Sequence, residues 1–296
     1  MTTRIFLLFL ILACSMLACK PKTTMEELFQ QISDTLARQD GKFALVFHNL
    51  GTHETLEIEA GELFHAASTM KVAVMIEVYK QAAERKISLD DSITIHNEFK
   101  SIVDGSIYSL DTADDSEQGL YQQMGQKRKL SDLVYDMIIV SSNLATNLVI
   151  ELVGPEQVTR TLRDLGAAHT EVLRGVEDQK AFDKGLNNVT TAEDMGIIFK
   201  RIAEGDAVSP QASEAMIRIL LDQKFNEIIP ARLPADVKVA HKTGSITGVR
   251  HDCGIIFLPD GRKYVLVLLS KEMKDEEAGI RAMAAVSEMI YAYVTQ

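Results

Sequence analysis

The 296-residue chain contains no tryptophan, and phenylalanine and tyrosine bring its aromatic content to only 6%. Cysteine is scarce too, with Cys14, Cys19 and Cys253 as the whole complement. The first two fall in an N-terminal segment that reads as removed or modified. A single thiol is then left in the folded part, which excludes an internal disulfide even in an oxidising compartment. The seven histidines form no His-Glu-x-x-His pattern and no Cys/His pairing at ligand spacing, so neither a metal nor any other cofactor is expected. No Lys/Arg block is long enough to make a phosphate-binding surface, and 42 acidic residues face 31 basic ones for a formal net charge of −11. Nucleic acid is therefore not an expected partner. An anionic ligand would need a local positive site to draw it in.

The most conspicuous apolar run, Ile5 to Leu12, is too short and too early to span a bilayer. Arg4 before it and small residues after it make it a signal peptide. Met16-Leu17-Ala18-Cys19 resembles a bacterial lipoprotein cleavage box, with Cys19 as the lipidated first residue of the mature chain. Cys14 also follows an alanine but leaves a shorter apolar region. The expectation is an extracytoplasmic protein, periplasmic or at the cell surface, touching the membrane through a lipid anchor only. Nothing signals oligomerisation, so a monomer is expected. About 270 residues remain, enough for one large domain or two closely packed lobes.

Beyond a short Lys20–Thr24 tether, Leu28, Ile32 and Leu36 recur at helical spacing within Met25 to Arg38. Lys42 to Leu50 and Thr55 to Ala60 are strand-like, joined by a turn at Gly51-Thr52-His53. Ser68 to Arg85 carries an amphipathic stripe of Val72, Met75, Ile76 and Tyr79. Lys100 to Lys129 is polar and aperiodic, and a loop of that length inside a compact domain is functional or mobile. Four further helices are expected: one capped by Ser131 and running to Val140, then Asn143 to Val153, Pro155 to Leu165, and Thr191 to Ala203. Pro210 to Leu221 adds another. Strands return at Val237 to Thr243, Gly254 to Leu258 and Lys263 to Ser270, before a last helix from Asp275 to Tyr293. Cys253, beside an apolar run, reads as a buried inert thiol, while His251 and Asp252 read as a surface turn without a role. The fold class is α/β (α+β), an antiparallel sheet built from both chain ends with an inserted all-helical lobe. The expected boundaries are 1–19 for the signal, 20–66 with 222–296 for the α/β lobe, and 67–221 for the helical lobe.

Three short motifs carry the chemistry. Ser68-Thr69-Met70-Lys71 places a hydroxyl and an amine one helical turn apart, and a lysine in a partly desolvated pocket can activate a serine. Ser141-Ser142-Asn143 interrupts an apolar run at a helix junction, and Lys242-Thr243-Gly244-Ser245 ends a strand. Each taken alone is equally a helix cap or a strand end. Together, in this order, they resemble the three motifs of class A β-lactamases and penicillin-recognising serine hydrolases.

The resemblance extends over the whole chain beyond the signal, and it implies the β-lactamase/transpeptidase-like fold. It implies Ser68 as the acylated nucleophile, Lys71 as its basic partner, and Ser141 as the relay to the leaving nitrogen. Asn143 would hold the substrate's side-chain amide, and Lys242 and Thr243 its carboxylate. The backbone N–H groups of Ser68 and Ser245 would form the oxyanion hole, and Gly244 would let the substrate approach the strand. Glu177, shortly after Arg174, would activate the water that hydrolyses the acyl-enzyme, with an ion pair of Arg174 fixing the loop. Arg250, in the loop before the next strand, would support carboxylate binding. Two departures stand out: Ser142 replaces the usual aspartate, and Ala181 stands where an asparagine normally helps hold the water, with Asn187 and Asn188 only later. The implied activity is hydrolysis of a β-lactam. The alternatives are a D-alanyl-D-alanine peptidase-like acyl-transfer enzyme or a β-lactam-binding lipoprotein that turns nothing over.

Overall fold

The computed structural model describes residues 22–296, so the signal segment and Cys19 lie outside it. Five antiparallel strands form the central sheet: β1 (Lys42–Asn49), β2 (Thr55–Ile58), β3 (Lys238–Ile246), β4 (Val249–Phe257) and β5 (Lys263–Lys271), in the order β2-β1-β5-β4-β3. Strands from the two chain ends meet where β1 pairs with β5, as the pattern predicts.

Alternation along these strands divides the sheet into two cores. Phe43, Leu45, Phe47, Tyr264, Leu266 and Leu268 face α1 (Met25–Ala37) and the C-terminal helix Glu276–Thr295. Ala44, Val46, Val265, Val267 and Leu269 face the helical block. One row of paired residues crosses the sheet as Glu57, Val46, Val267, Cys253 and Lys242. Lys242 therefore points to the same side as two core valines. That alternation is what carries its amine into the interior.

The helical block is α2 (Met70–Ala83), α3 (Leu130–Ile139), α4 (Asn143–Val153), α5 (Pro155–Leu165), the short α6 (Gln179–Asp183), α7 (Ala192–Glu204) and α8 (Pro210–Leu221). The C-terminal helix is accordingly α9. Although α7 and α8 belong to the segment assigned to the helical lobe, α7 packs across β1, β4 and β5 and α8 against β3.

Several local expectations are corrected. The α-helix begins at Met70, not Ser68; residues Ala67–Thr69 form a separate 3-10 turn. Every residue from Met70 to Val78 is buried, so α2 is a central helix enclosed on all sides rather than an amphipathic surface one. Ser131 does not cap α3, whose N-cap position is Lys129 with no side-chain cap. β3 and β4 are longer than their apolar runs, because residues 249–252 pair in register with residues 243–246. His251 and Asp252 are buried inside β4 and do not form a surface turn. The stretch from Lys100 to Lys129 is threaded with short pairs and 3-10 turns fixed by its own polar side chains. Asp104, Asp111 and Glu117 each accept a backbone N–H two residues on.

Candidate active site

Ser68 lies in the 3-10 turn at the start of α2 and lines two adjoining cavities of about 650 and 350 Å³. The larger also takes in Ser141, Asn143, Thr243, Gly244, Ser245 and Arg250; the smaller takes in Asn143, Glu177 and Ser245. Among the expected cleft residues, Lys71 and Lys242 do not line either cavity and meet the cleft from below, through Ser141.

The turn bearing Ser68 is tightly determined. Ala67 has a left-handed φ of 44°, and its N–H donates to His65 Nδ1 at 2.9 Å. Thr69 Oγ1 donates to Ala66 O at 2.6 Å, and Ala66 N donates to Asn188 O at 2.8 Å. Gly244 closes the other side. A Cβ there would stand 3.2 Å from both Ala67 Cβ and Thr69 Cγ2. The glycine thus lets β3 approach the turn that carries Ser68.

Lys71 is fully buried. Its Nζ meets Ser141 O at 2.7 Å, Asn143 Oδ1 at 2.8 Å and Ser141 Oγ at 3.2 Å. Desolvation outweighs the nearby Asp115 and Glu177 carboxylates and pulls its pKa down to about 7. Lys242 reaches the same hydroxyl from the opposite side, at 3.0 Å from Ser141 Oγ. Burial, and then the Lys71 charge, depress its pKa well below the ordinary lysine value. One hydroxyl therefore sits between two buried amines. The residue that carries it, Ser141, holds a left-handed φ of 60°.

Asn143 bridges rather than waits. Its Oδ1 accepts from Lys71, and its Nδ2 donates to Glu177 Oε1 at 2.7 Å. The Glu177 carboxyl is half-buried and raised in pKa, first by desolvation and then, against the Asn143 bond, by Asp115 and Asp114. Glu177 is itself left-handed at φ 63°. Three of the seven described non-glycine residues with positive φ (Ala67, Ser141 and Glu177) thus border this cleft, where backbone strain concentrates when a site needs it.

Among the described residues Arg174 makes no ion pair, and it fixes the Glu177 loop by other means. Its guanidinium donates to Leu186 O, Gly175 O and Asn187 Oδ1 at 2.9, 3.0 and 3.1 Å. Asn188 closes the same loop, accepting from Leu173 N and donating to Arg174 O. From below, Asn147 Oδ1 accepts from Val176 N at 2.6 Å, and its Nδ2 donates to Val176 O. Asn147 follows Asn143 by one helical turn, so its helical spacing was a usable signal. Ala181 is buried and has no side-chain polar group to offer a water.

Arg250 lies within β4, not in a loop. It pairs with Glu276 at 2.5 Å and donates to Ser245 Oγ, its cross-strand partner. Asp115, buried beneath Ser142, is a polar contributor that its aperiodic surroundings concealed. Cys253 is a buried free thiol in β4. Among the described residues no cluster of three or more His, Cys, Asp or Glu is placed to hold a metal.

A family model for the beta-lactamase enzyme family matches residues 27–294. The beta-lactamase of Bacillus licheniformis is 26% identical over 279 residues, covering 91% of this chain and 83% of that protein. The match to the Streptomyces lavendulae beta-lactamase, 28% over 178 residues, spans 59% of this chain and only 58% of that protein. Among solved structures, a beta-lactamase from Sphaerobacter thermophilus superposes with a TM-score of 0.77 at 26% identity, covering 88% of this chain and 96% of its own. PBP-A superposes at 0.78 with 26% identity, covering 93% and 98%, and a point mutant of it was solved as an acyl-enzyme complex with penicillin G. That family match spans nearly all the described residues, and the chain belongs to the beta-lactamase enzyme family.

Proposed function

We propose that the protein hydrolyses the amide bond of β-lactams through an acyl-enzyme on Ser68, cleaved by water that Glu177 activates. The observation that carries this reading is the continuous chain Lys242–Ser141–Lys71–Asn143–Glu177 beside the cleft lined by Ser68. An amine with its pKa near 7 is partly free at neutral pH and can take the Ser68 proton as Oγ attacks the lactam carbonyl. The Ser141 hydroxyl, held between both lysines, delivers a proton to the departing nitrogen and takes in its place the proton that Lys71 received. Thr243 lines the cleft where the substrate carboxylate would sit, and that incoming negative charge favours the protonated form of Lys242 behind it; the Ser68 and Ser245 N–H groups receive the oxyanion. In the second half, Glu177 accepts a proton as water adds to the ester carbonyl, and the C–Oγ bond then breaks with Ser68 regaining that proton.

A D-alanyl-D-alanine peptidase-like acyl transfer is the competing reading. Ala181, which offers the water no side-chain amide, favours it, and the penicillin acyl-enzyme of a PBP-A mutant is a structure of similar fold that holds such an adduct. A chromogenic cephalosporin separates the two. Catalytic opening by the wild type, abolished by Ser68→Ala, is expected; covalent labelling without turnover would favour acyl transfer or a binding protein.

Lipidation at Cys19 is proposed on the cleavage-box resemblance alone, with an extracytoplasmic location to match. Cys19→Ser should release the protein from membranes, and a variant that stays bound would exclude that anchor.

A further inference from the structure

The turn from Ser141, itself left-handed, to Asn143 carries two polar groups of the cleft, yet Ser142 at its centre bears no charge. A carboxylate reaches it from the long polar stretch instead. Asp115 is 3% exposed. Its Oδ2 accepts from Leu144 N at 2.8 Å, Tyr121 Oη at 3.0 Å and Ser142 Oγ at 3.3 Å, while its Oδ1 accepts from Glu117 N at 3.0 Å. Ser142 Oγ also accepts from Ala145 N at 3.2 Å, so its proton goes to Asp115 and its lone pair to the start of α4. Among the described residues Asp115 makes no ion pair. Four neutral donors and the positive end of α4 offset the burial of its charge.

We infer that Asp115 is a positioning residue: through Ser142 and the first turn of α4 it holds Ser141 and Asn143 against Lys71, supplying from a distant loop the negative charge that residue 142 lacks. Because the side chains at 115 and 142 touch, the charge is transferable between them. Aspartate at 142 beside Asp115 would force two carboxylates together; aspartate at 142 beside asparagine would restore one.

The test compares full-length wild type, Asp115→Asn, Ser142→Asp and the double variant, reading the rate of covalent labelling by a fluorescent penicillin and the thermal midpoint. Its kinetic arm rests on the proposed acylation of Ser68; its thermal arm does not. Each single variant should label about tenfold more slowly and melt lower, and the double should return to within about threefold of wild type and recover its midpoint. Single effects that simply multiply in the double, or Asp115→Asn labelling at the wild-type rate, would overturn the inference. If Asp115→Asn fails to fold, recovery of a folded, labelled double supports it and an unfolded double rejects it. If the wild type itself is not labelled, the Ser68 reading fails, and the midpoints alone decide the coupling.

Discussion

Lys71 and Lys242 show how burial does chemical work on single residues. Among the described residues neither amine has a carboxylate in hydrogen-bond contact, so desolvation dominates and both lose affinity for their protons. The free-amine fraction of Lys71 grows as pH rises through about 7. If that amine takes the Ser68 proton, acylation should climb across the same range and fall off below it; stopped-flow labelling between pH 5 and 9, a range set roughly about that midpoint, measures this. A flat profile would remove Lys71 from the proton path. His251 makes a second residue-scale prediction. Its Nδ1 accepts from Ser270 N at 3.1 Å, so its Nε2 must donate to His65 O at 2.9 Å, and only the neutral ring fits both. Burial lowers its pKa to about 4. The unfolded chain then binds the extra proton first, so this stability is present above about pH 6.5 and is lost as pH falls towards 4, about 3 kcal/mol in all. Urea titrations should show that loss, and His251→Gln should flatten it.

Ser68, Lys71, Ser141, Asn143 and Lys242 were legible because each sits in a short motif whose order is distinctive. His251 and Asp252 were not, because alternating apolar residues mark a strand only where neighbours are apolar. Here polar side chains find buried partners: Asp252 takes His241 Nδ1 at 2.7 Å and Ile229 N at 2.9 Å.

At the scale of elements, the segment from Arg174 to Asn188 decides where Glu177 stands. Three contacts define it: Arg174 with its carbonyls, Asn188 across the base, and Asn147 from α4. Gly175 is pressed against Asn147, and a Cβ there would overlap the Asn147 amide. Gly175→Ala should therefore free the loop, destabilising the protein by about 1–3 kcal/mol. Deacylation should slow more than acylation, since Ser68 and Lys71 stand on α2 and its leading turn. Equal losses in both steps, read by single-turnover mass spectrometry, would contradict this division. The expected Arg174 ion pair failed because backbone carbonyls and an asparagine satisfied the guanidinium first. The long polar stretch hid Asp115 for a related reason: its order comes from side-chain bonds to its own backbone, which leave no apolar period to read.

The whole molecule rests on a sheet whose two faces build separate cores. The helices of the two chain ends close one face and the helical block closes the other. This plan was readable from hairpin-joined strands at both ends, whereas the full enclosure of α2 was not, because Lys71, Glu77 and Gln81 look like a polar face. Glu77 is in fact buried, accepting from Thr161 Oγ1 at 2.5 Å and Gln81 Nε2 at 2.7 Å. Ile32 on α1 is wholly buried against the face remote from the cleft. Ile32→Ala should cost about 3 kcal/mol of stability while leaving labelling of the folded protein unchanged. A large loss of labelling in folded Ile32→Ala would show the two cores to be coupled.

Intact-mass analysis of wild type and Glu177→Gln at intervals after mixing with penicillin tests the Ser68 acyl-enzyme and its hydrolysis most directly. An adduct on Ser68 is expected that the wild type clears while product accumulates and that the variant retains. No adduct in either protein, or a variant that sheds it as fast as the wild type, would contradict that mechanism.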